Sequence, residues 1–434
     1  MAANRKKQKT PVAVFQKDPG PWSPLLINWL FTLGVILVFG IVMLFSASYT
    51  TGYLRKGSSF YFAGKQAIFL LAGVVAMFIM SYVDHRFLRK LVWPGYFIVL
   101  ALLVITLAMP PINGCKRWIT LPLLSLQTSE LAKFEMILLT AHLAADAPRL
   151  RRKPGEKLRM GKWVYVRVWR QLVWPMLWVI PVLGLLFLEP HMSAMILTVA
   201  IMGTILLLSG SGGILTWAGA GVAVVTLETL LSHVDSIPYL QKRLDGWTQD
   251  LSLMTSQTRQ SLYAIGSGGL TGLGLGNSVE KQLWLPESNN DFVFSVVCEE
   301  LGFIGAVLVI VLFLLLIVQG LLIAYRAENL YCTMVGLGIV AQIAWQVFCN
   351  IAVVTNALPN TGISLPFFSS GGTSLLLLLI EMGVLLNIGR NGERAAEQWK
   401  AARLAKEQEQ AEREQLLREK TIVLADARAA RTEE

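Results

Sequence analysis

The chain has 434 residues, of which 54% are hydrophobic and only 15% charged. A soluble chain would carry about a quarter charged residues, so this composition excludes an ordinary soluble domain. The net charge of +10 lies largely in loops beside apolar runs, where it suits anionic headgroups and makes nucleic-acid recognition a poor reading.

Residues 1–23 are polar, proline-interrupted and basic, with Arg5, Lys6, Lys7 and Lys9. The apolar run that follows is too long for the h-region of a signal peptide, and no small-residue cleavage site follows it, so it is expected to stay as a first span. Apolar runs then recur at 24–48, 64–82, 91–109, 126–144, 171–188, 192–209, 213–232, 292–325, 331–355 and 365–389. A run of about 20 residues crosses a bilayer core of roughly 30 Å. The reading is an all-α polytopic membrane protein with about ten transmembrane helices and residues 24–390 as its membrane domain. The run at 292–325 is over-long and is expected to break near Gly302.

Basic residues set the orientation. They crowd the N-terminus, the loop with His85, Arg86, Arg89 and Lys90, and the loop from Arg149 to Arg170. The positive-inside rule places these loops and both termini in the cytoplasm. Outside lies a large loop, 233–291, whose Trp247, Tyr263 and Trp284 among glycines argue against disorder. Inside lies the tail 391–434, mixed in charge and alanine-rich, which reads as an exposed helix. The four cysteines show no metal-ligand spacing, and the three inside or beside apolar runs read as small hydrophobes.

The polar residues near the spans carry the functional signal. Gly114-Cys-Lys116-Arg117-Trp118 places two cations and an indole at the outer interface, against the orientation bias. Trp118 reads as an interfacial anchor, whereas Arg suits phosphate. Arg243 and Arg259 in the large loop raise the same question. At the start of the fourth span, Glu130 and Lys133 are three apart, on one helical face and within pairing reach. Read alone they are a structural ion pair. His191 reads as an interfacial polar residue. The run Gly266–Gly276 superficially resembles a phosphate loop but lacks the lysine, so tight turns are the better reading.

Asp291 sits where the large loop re-enters the membrane, and a carboxylate at that boundary costs free energy unless it is solvated, paired or used. Glu299 and Glu300 follow, and the two are expected to include one packing-paired carboxylate and no catalytic one. The segment Asn356 to Ser374, which includes Ser369, is dense in Pro and Gly. Irregular backbone at membrane depth survives where it lines a cavity. With Asp291 and the Glu130/Lys133 face at the same level, one shared cavity is the better reading.

Taken in order, Lys116-Arg-Trp-Ile, Gln127-Thr-Ser-Glu-Leu-Ala-Lys133, Ser261 to Leu270, Leu285-Pro-Glu with Asp291-Phe, Glu299-Glu-Leu-Gly-Phe303, and Thr361-Gly with Leu365-Pro-Phe and Gly371-Gly resemble the SEDS family. This is the shape, elongation, division and sporulation family that includes RodA, FtsW and SpoVE. The bracketing motifs lean towards its division and sporulation branch. The resemblance implies a peptidoglycan glycosyltransferase that polymerises lipid II at the outer face of the bacterial cytoplasmic membrane. It also implies a class B penicillin-binding protein and other division or wall-synthesis proteins as partners. Asp291 matches the family's essential aspartate, and Glu130 and Lys133 match its intramembrane pair. The chain departs from the family pattern at Thr128, His191, Asn289 and Ser370.

The expected chemistry is inverting glycosyl transfer. Asp291 would be the base, and Lys116, Arg117, Arg243 and Ser369 are candidates for holding substrate or its pyrophosphate. A divalent cation is compatible with this chemistry, but no ligand cluster in the sequence compels one. The rival reading is a lipid II flippase, which paired intramembrane charges and broken helices would serve as well. The crowding of polar groups towards the outer side argues against it. A non-catalytic scaffold is the third reading.

Overall fold

The computed structural model describes residues 14–16, 19–110, 116–120, 125–147, 165–189, 191–209, 247, 250 and 254–432. Its helices are α1 (Pro24–Lys56), α2 (Tyr61–Met80), α3 (His85–Ala108), α4 (Thr128–Asp146), α5 (Trp174–Leu188), α6 (Met192–Leu208), α7 (Ser256–Ser267), α8 (Val293–Tyr325), α9 (Leu330–Val354) and α10 (Gly372–Thr432). A π-helical segment, Tyr165–Val173, leads into α5. A hairpin of two short antiparallel strands, β1 (Trp118–Thr120) and β2 (Ser125–Gln127), precedes α4.

Among the described residues, α1, α2, α3, α8, α9 and α10 are each long and apolar enough to cross a membrane, and α5 and α6 are shorter apolar helices. α4 occupies the fourth predicted run although it carries Glu130, Lys133 and Glu135. The seventh predicted run, 213–232, lies outside the described residues. α10 continues without interruption from the tenth run through the charged tail to Thr432.

Local chemistry sets the helix ends. Pro24 opens α1, where its missing N–H costs nothing, and Gly57 closes it in the left-handed region with φ 72°. Asp84 caps α3 by accepting from the Arg86 amide at 2.8 Å. Asn329 caps α9 by accepting from the Cys332 amide at 3.0 Å.

Burial then sorts the helices. Within its most apolar stretch α9 is 78% buried and α2 only 22%, so α9 is a core helix and α2 faces lipid. α4, α6 and α9 pack against one another at the centre, while α2 lies along α10 and α1 along α8. The α2–α10 approach depends on Gly383, where a Cβ would lie 2.3 Å from the Met77 carbonyl oxygen. Arg390 on α10 donates to the Gly20 carbonyl at 2.9 Å, and Phe15 bridges to Val83. Phe15 and Gly20, the α2–α3 turn and the middle of α10 therefore share one end of the bundle. The hairpin and the large loop share the other.

The predicted break in α8 is present. Gly302 adopts φ 65° and ψ −165°, which interrupts the helix with a kink. The glycine-rich run docks into that break. Leu273 and Gly274 amides donate to the Glu299 and Glu300 carbonyls at 3.0 and 2.9 Å. In return, the Phe303 and Ile304 amides donate to Gly269 and Leu270 at 2.9 and 3.2 Å. Backbone groups freed by the kink are thus satisfied by the loop, as burial in an apolar setting requires.

Candidate active-site cavity

The hairpin, α4, α6, α9 and the irregular segment before α10 enclose a cavity of about 200 Å³ at the loop-bearing end of the bundle. Its walls include Arg117, Trp118, Gln127, Glu130, Lys133, His191, Asp291, Gln346, Ser369 and Ser370. The structure therefore brings Asp291, Glu130, Lys133, Arg117 and Ser369 into one cavity, from four separate stretches of sequence. Lys116 lies outside it: the side chain is exposed and its ammonium donates to the Leu107 carbonyl at 2.8 Å. Arg243 lies outside the described residues.

Asp291 is held through its backbone and its neighbours. Asn350, buried on α9, donates from Nδ2 to the Asp291 carbonyl at 2.7 Å and to the Ile363 carbonyl at 2.7 Å. Ser369 Oγ donates to the Asn290 carbonyl at 2.7 Å, and the Ser370 amide donates to the Asn289 carbonyl at 2.8 Å. Gln66 on α2 fixes the far side, donating to the Ser369 carbonyl at 3.1 Å and accepting from the Gly371 amide at 3.2 Å. The carboxylate of Asp291 thus projects from a segment clamped between α9 and the Pro/Gly-rich segment. Ser369, a substrate-binding candidate from sequence, has a positioning bond of its own.

Lys133 Nζ lies 2.8 Å from Glu130 Oε1, with side chains 1% and 13% exposed. A buried ammonium needs such a partner. Glu381 on α10 also lies in electrostatic reach of Lys133, and Gln342 on α9 donates to its carboxylate at 2.8 Å. Lys133 therefore acts on two carboxylates, Glu130 at the cavity wall through a direct ion pair and Glu381 in the core through its charge. Sequence reading missed Glu381 and Gln342, which are single polar residues on otherwise apolar runs.

Arg117 adds a second cation to the cavity wall. It lies in electrostatic reach of Glu189, whose carboxylate oxygens are buried. His191, expected at the interface, is instead 5% exposed and lines the cavity. The short turn between α5 and α6 carries it inward, because the His191 amide bonds back to the Leu186 carbonyl at 3.0 Å.

The loop bearing Asp291 is anchored by both glutamates that follow it. Glu299 accepts from Ser278 Oγ and from the Val279 amide at 2.8 Å. Glu300 accepts from Ser46 Oγ at 2.7 Å and from Lys281 Nζ at 2.6 Å. Both carboxylates are engaged in packing bonds, where the sequence led to the expectation of one, and Lys281 was not singled out there. Burial, with Glu299 alongside, pushes the Glu280 carboxyl in this loop above its ordinary range.

The cavity joins a carboxylate, a guanidinium and a paired ammonium around hydroxyl and amide groups. Such a set can take a proton from a sugar hydroxyl while compensating phosphate charge.

A family model described as cell cycle protein, covering FtsW, RodA and SpoVE, matches residues 27–394. Stage V sporulation protein E of Bacillus subtilis is 36% identical over 381 residues, covering 85% of this chain and 97% of that protein. A probable peptidoglycan glycosyltransferase FtsW of Geobacter metallireducens is 33% identical over 357 residues, covering 81% and 90%. The rod-shape-determining protein RodA of Thermus thermophilus has a similar structure, with a TM-score of 0.61 and 26% identity over 84% of this chain and 96% of that one. A chain of a peptidoglycan synthase complex that coordinates polymerization and crosslinking matches with a TM-score of 0.66 and 25% identity, covering 86% and 99%.

Proposed function

Since the chain belongs to the FtsW, RodA and SpoVE family of cell cycle proteins and is a multi-pass protein of the cytoplasmic membrane, we propose that it is a peptidoglycan glycosyltransferase. Its substrate is lipid II, polymerised into glycan strands at the outer face for division or sporulation. The observation that carries this reading is the shared cavity of Asp291, Arg117 and the Glu130–Lys133 pair. The sporulation and division relatives support the branch.

In the proposed step, Asp291 takes the proton of an acceptor-sugar hydroxyl as its oxygen attacks the anomeric carbon of the lipid-linked donor. A new C–O bond forms as the bond to pyrophosphate breaks, and the pyrophosphate leaves with the electron pair. A single displacement inverts the anomeric centre. A well-placed base is worth about 10²–10⁴-fold in rate. Arg117 offsets the charge gathering on the leaving group. Lys133, neutralised by Glu130, shapes the cavity floor. A class B penicillin-binding protein is the proposed partner that crosslinks the strands, in keeping with the synthase complex among the structural relatives.

The test is lipid II polymerisation by the purified chain, with and without a class B partner, comparing wild type with Asp291→Asn. Strands from the wild type and none from a folded Asp291→Asn variant are expected. Wild-type rates in that variant would remove Asp291 as the base. A protein that makes no strands under either condition but moves lipid II across vesicles would be a flippase instead.

A further inference from the structure

Gln346 on α9 lines the Asp291 cavity and takes no part in the proposed proton transfer. It lies one helical turn from Asn350 and one turn from Gln342, on the same face of α9. Both neighbours are held by their side-chain amides, Asn350 on the Asp291 and Ile363 carbonyls and Gln342 on Glu381. No such bond holds the Gln346 amide among the described residues: the side chain is 4% exposed, and its Oε1 has no hydrogen-bond partner. Nearly all buried polar groups in folded proteins are satisfied, so an unused amide on a cavity wall needs a cause.

The rest of the cavity narrows the choice of ligand. Its charged groups already have work: Glu130 and Lys133 pair with each other, Asp291 serves the attacking hydroxyl, and Arg117 serves phosphate. Ala194, Leu197, Leu375 and Leu378 add apolar surface to the same walls. One neutral amide, carrying both donors and an acceptor, therefore shares the cavity with apolar wall. The matching ligand is a small amide that ends in a methyl group. Both sugars of lipid II carry one at carbon 2, the acetamido group. The terminal torsion of a glutamine is broad and roughly two-fold, so either end of the Gln346 amide can turn towards the cavity.

We infer that Gln346 is a specificity-determining residue that reads a 2-acetamido group of the saccharide. Its Nε2 donates to the acetyl carbonyl, its Oε1 accepts from the acetamido N–H, and the apolar wall takes the methyl. The inference rests on the glycosyltransferase reading and deepens it. A site built to hydrogen-bond a substrate group rejects an analogue that lacks the group, because its own polar atoms are then left unpaired.

The experiment measures kcat/KM for polymerisation by the full chain with its class B partner in vesicles. Three substrates are compared: lipid II, and two analogues in which the acetamido group of one sugar or the other is replaced by hydroxyl. Two neutral hydrogen bonds should make the wild type prefer lipid II over one of the analogues by about ten- to hundred-fold. In Gln346→Leu that preference should vanish while the thermal midpoint is kept, because an apolar group of similar size leaves no buried polar atom behind. Gln346→Met is the second apolar variant should Gln346→Leu not fold. Gln342→Leu should do the reverse, lowering the thermal midpoint through Glu381 and keeping the preference. Full preference in a folded Gln346 variant would overturn the assignment. So would a wild type that uses both analogues as well as lipid II, which would pass the amide to the stem peptide. A Gln346 variant that slows all three substrates alike and loses thermal stability would make the residue a packing element, again overturning it. No strands from the wild type on lipid II would defeat the glycosyltransferase reading itself, a failure distinct from these.

Discussion

Lys281 Nζ lies 2.6 Å from Glu300 Oε1, and the two side chains are 3% and 0% exposed. Ser46 on α1 closes the group, donating to the same carboxylate at 2.7 Å and accepting from Lys281 at 3.0 Å. Three parts of the chain thus meet at one buried charge pair: α1, the outer loop and the first segment of α8. Asp291 follows Lys281 in that loop, so the pair fixes the platform from which Asp291 projects.

Breaking a buried pair by removing one partner costs about 3–5 kcal/mol, because the other charge is left uncompensated. Glu300→Gln and Lys281→Met are each expected to lower the thermal midpoint in detergent markedly and to depress polymerisation. The double variant should cost less than the sum of the singles, since no lone charge remains. Strict additivity would show that the two residues act independently.

The sequence made parts of this arrangement readable and hid others for a physical reason. Glu130 and Lys133 are helical neighbours three residues apart, so their 2.8 Å pairing follows from periodicity. Asp291 stood out because a carboxylate at the membrane boundary needs a use, and Gly302 because it falls inside an over-long apolar run. Asn350, Gln66 and Gln342 gave no such signal. Each is one polar residue on an apolar helix, and its partner is set by packing between distant segments. His191 misled for a related reason: sequence placed it in a connection, and the tight turn between α5 and α6 folds that connection into the cavity wall.

The glycine-rich run offers a sharper test than any charge. Gly272 has φ +81°, and a Cβ there would lie 2.1 Å from the Glu300 carbonyl oxygen. Gly276 has φ +87° but open space around it. Both positions disfavour an L side chain, at roughly 1 kcal/mol or more. Only Gly272→Ala also collides with the α8 backbone. Gly272→Ala is expected to lower the thermal midpoint well beyond Gly276→Ala and to expose the loop to protease. Equal effects at the two sites would refute the docking role given to the run.

Glu280 lies in the same loop, and its carboxyl is raised from an ordinary value of 4.5, first by burial and then by Glu299. The folded chain therefore keeps a proton that the unfolded chain releases between that ordinary value and the raised one. Stability from this group is full below the ordinary value and falls as pH rises through the folded value. Glu280→Gln should flatten this part of the profile, read as thermal midpoint against pH. An unchanged slope would assign it to other groups.

The last prediction separates charge from shape at the cavity floor. Lys133 is almost fully buried, with Glu130 at 2.8 Å and Glu381 in electrostatic reach from the core. Glu130→Gln removes the direct partner and leaves the ammonium with Glu381, whereas Glu381→Gln leaves the direct pair intact and keeps a hydrogen-bonding group near Gln342. If Glu130 is the partner that neutralises Lys133, Glu130→Gln should be the more damaging, by about 3–5 kcal/mol in stability. Lys133→Met combined with Glu130→Gln should then recover much of that stability without recovering polymerisation, because the cavity would keep its packing and lose its charges. Thermal midpoint and lipid II polymerisation, measured on the same preparations, distinguish the two effects. Recovery of both together would reduce the pair to a packing element and leave the chemistry to Asp291 and Arg117.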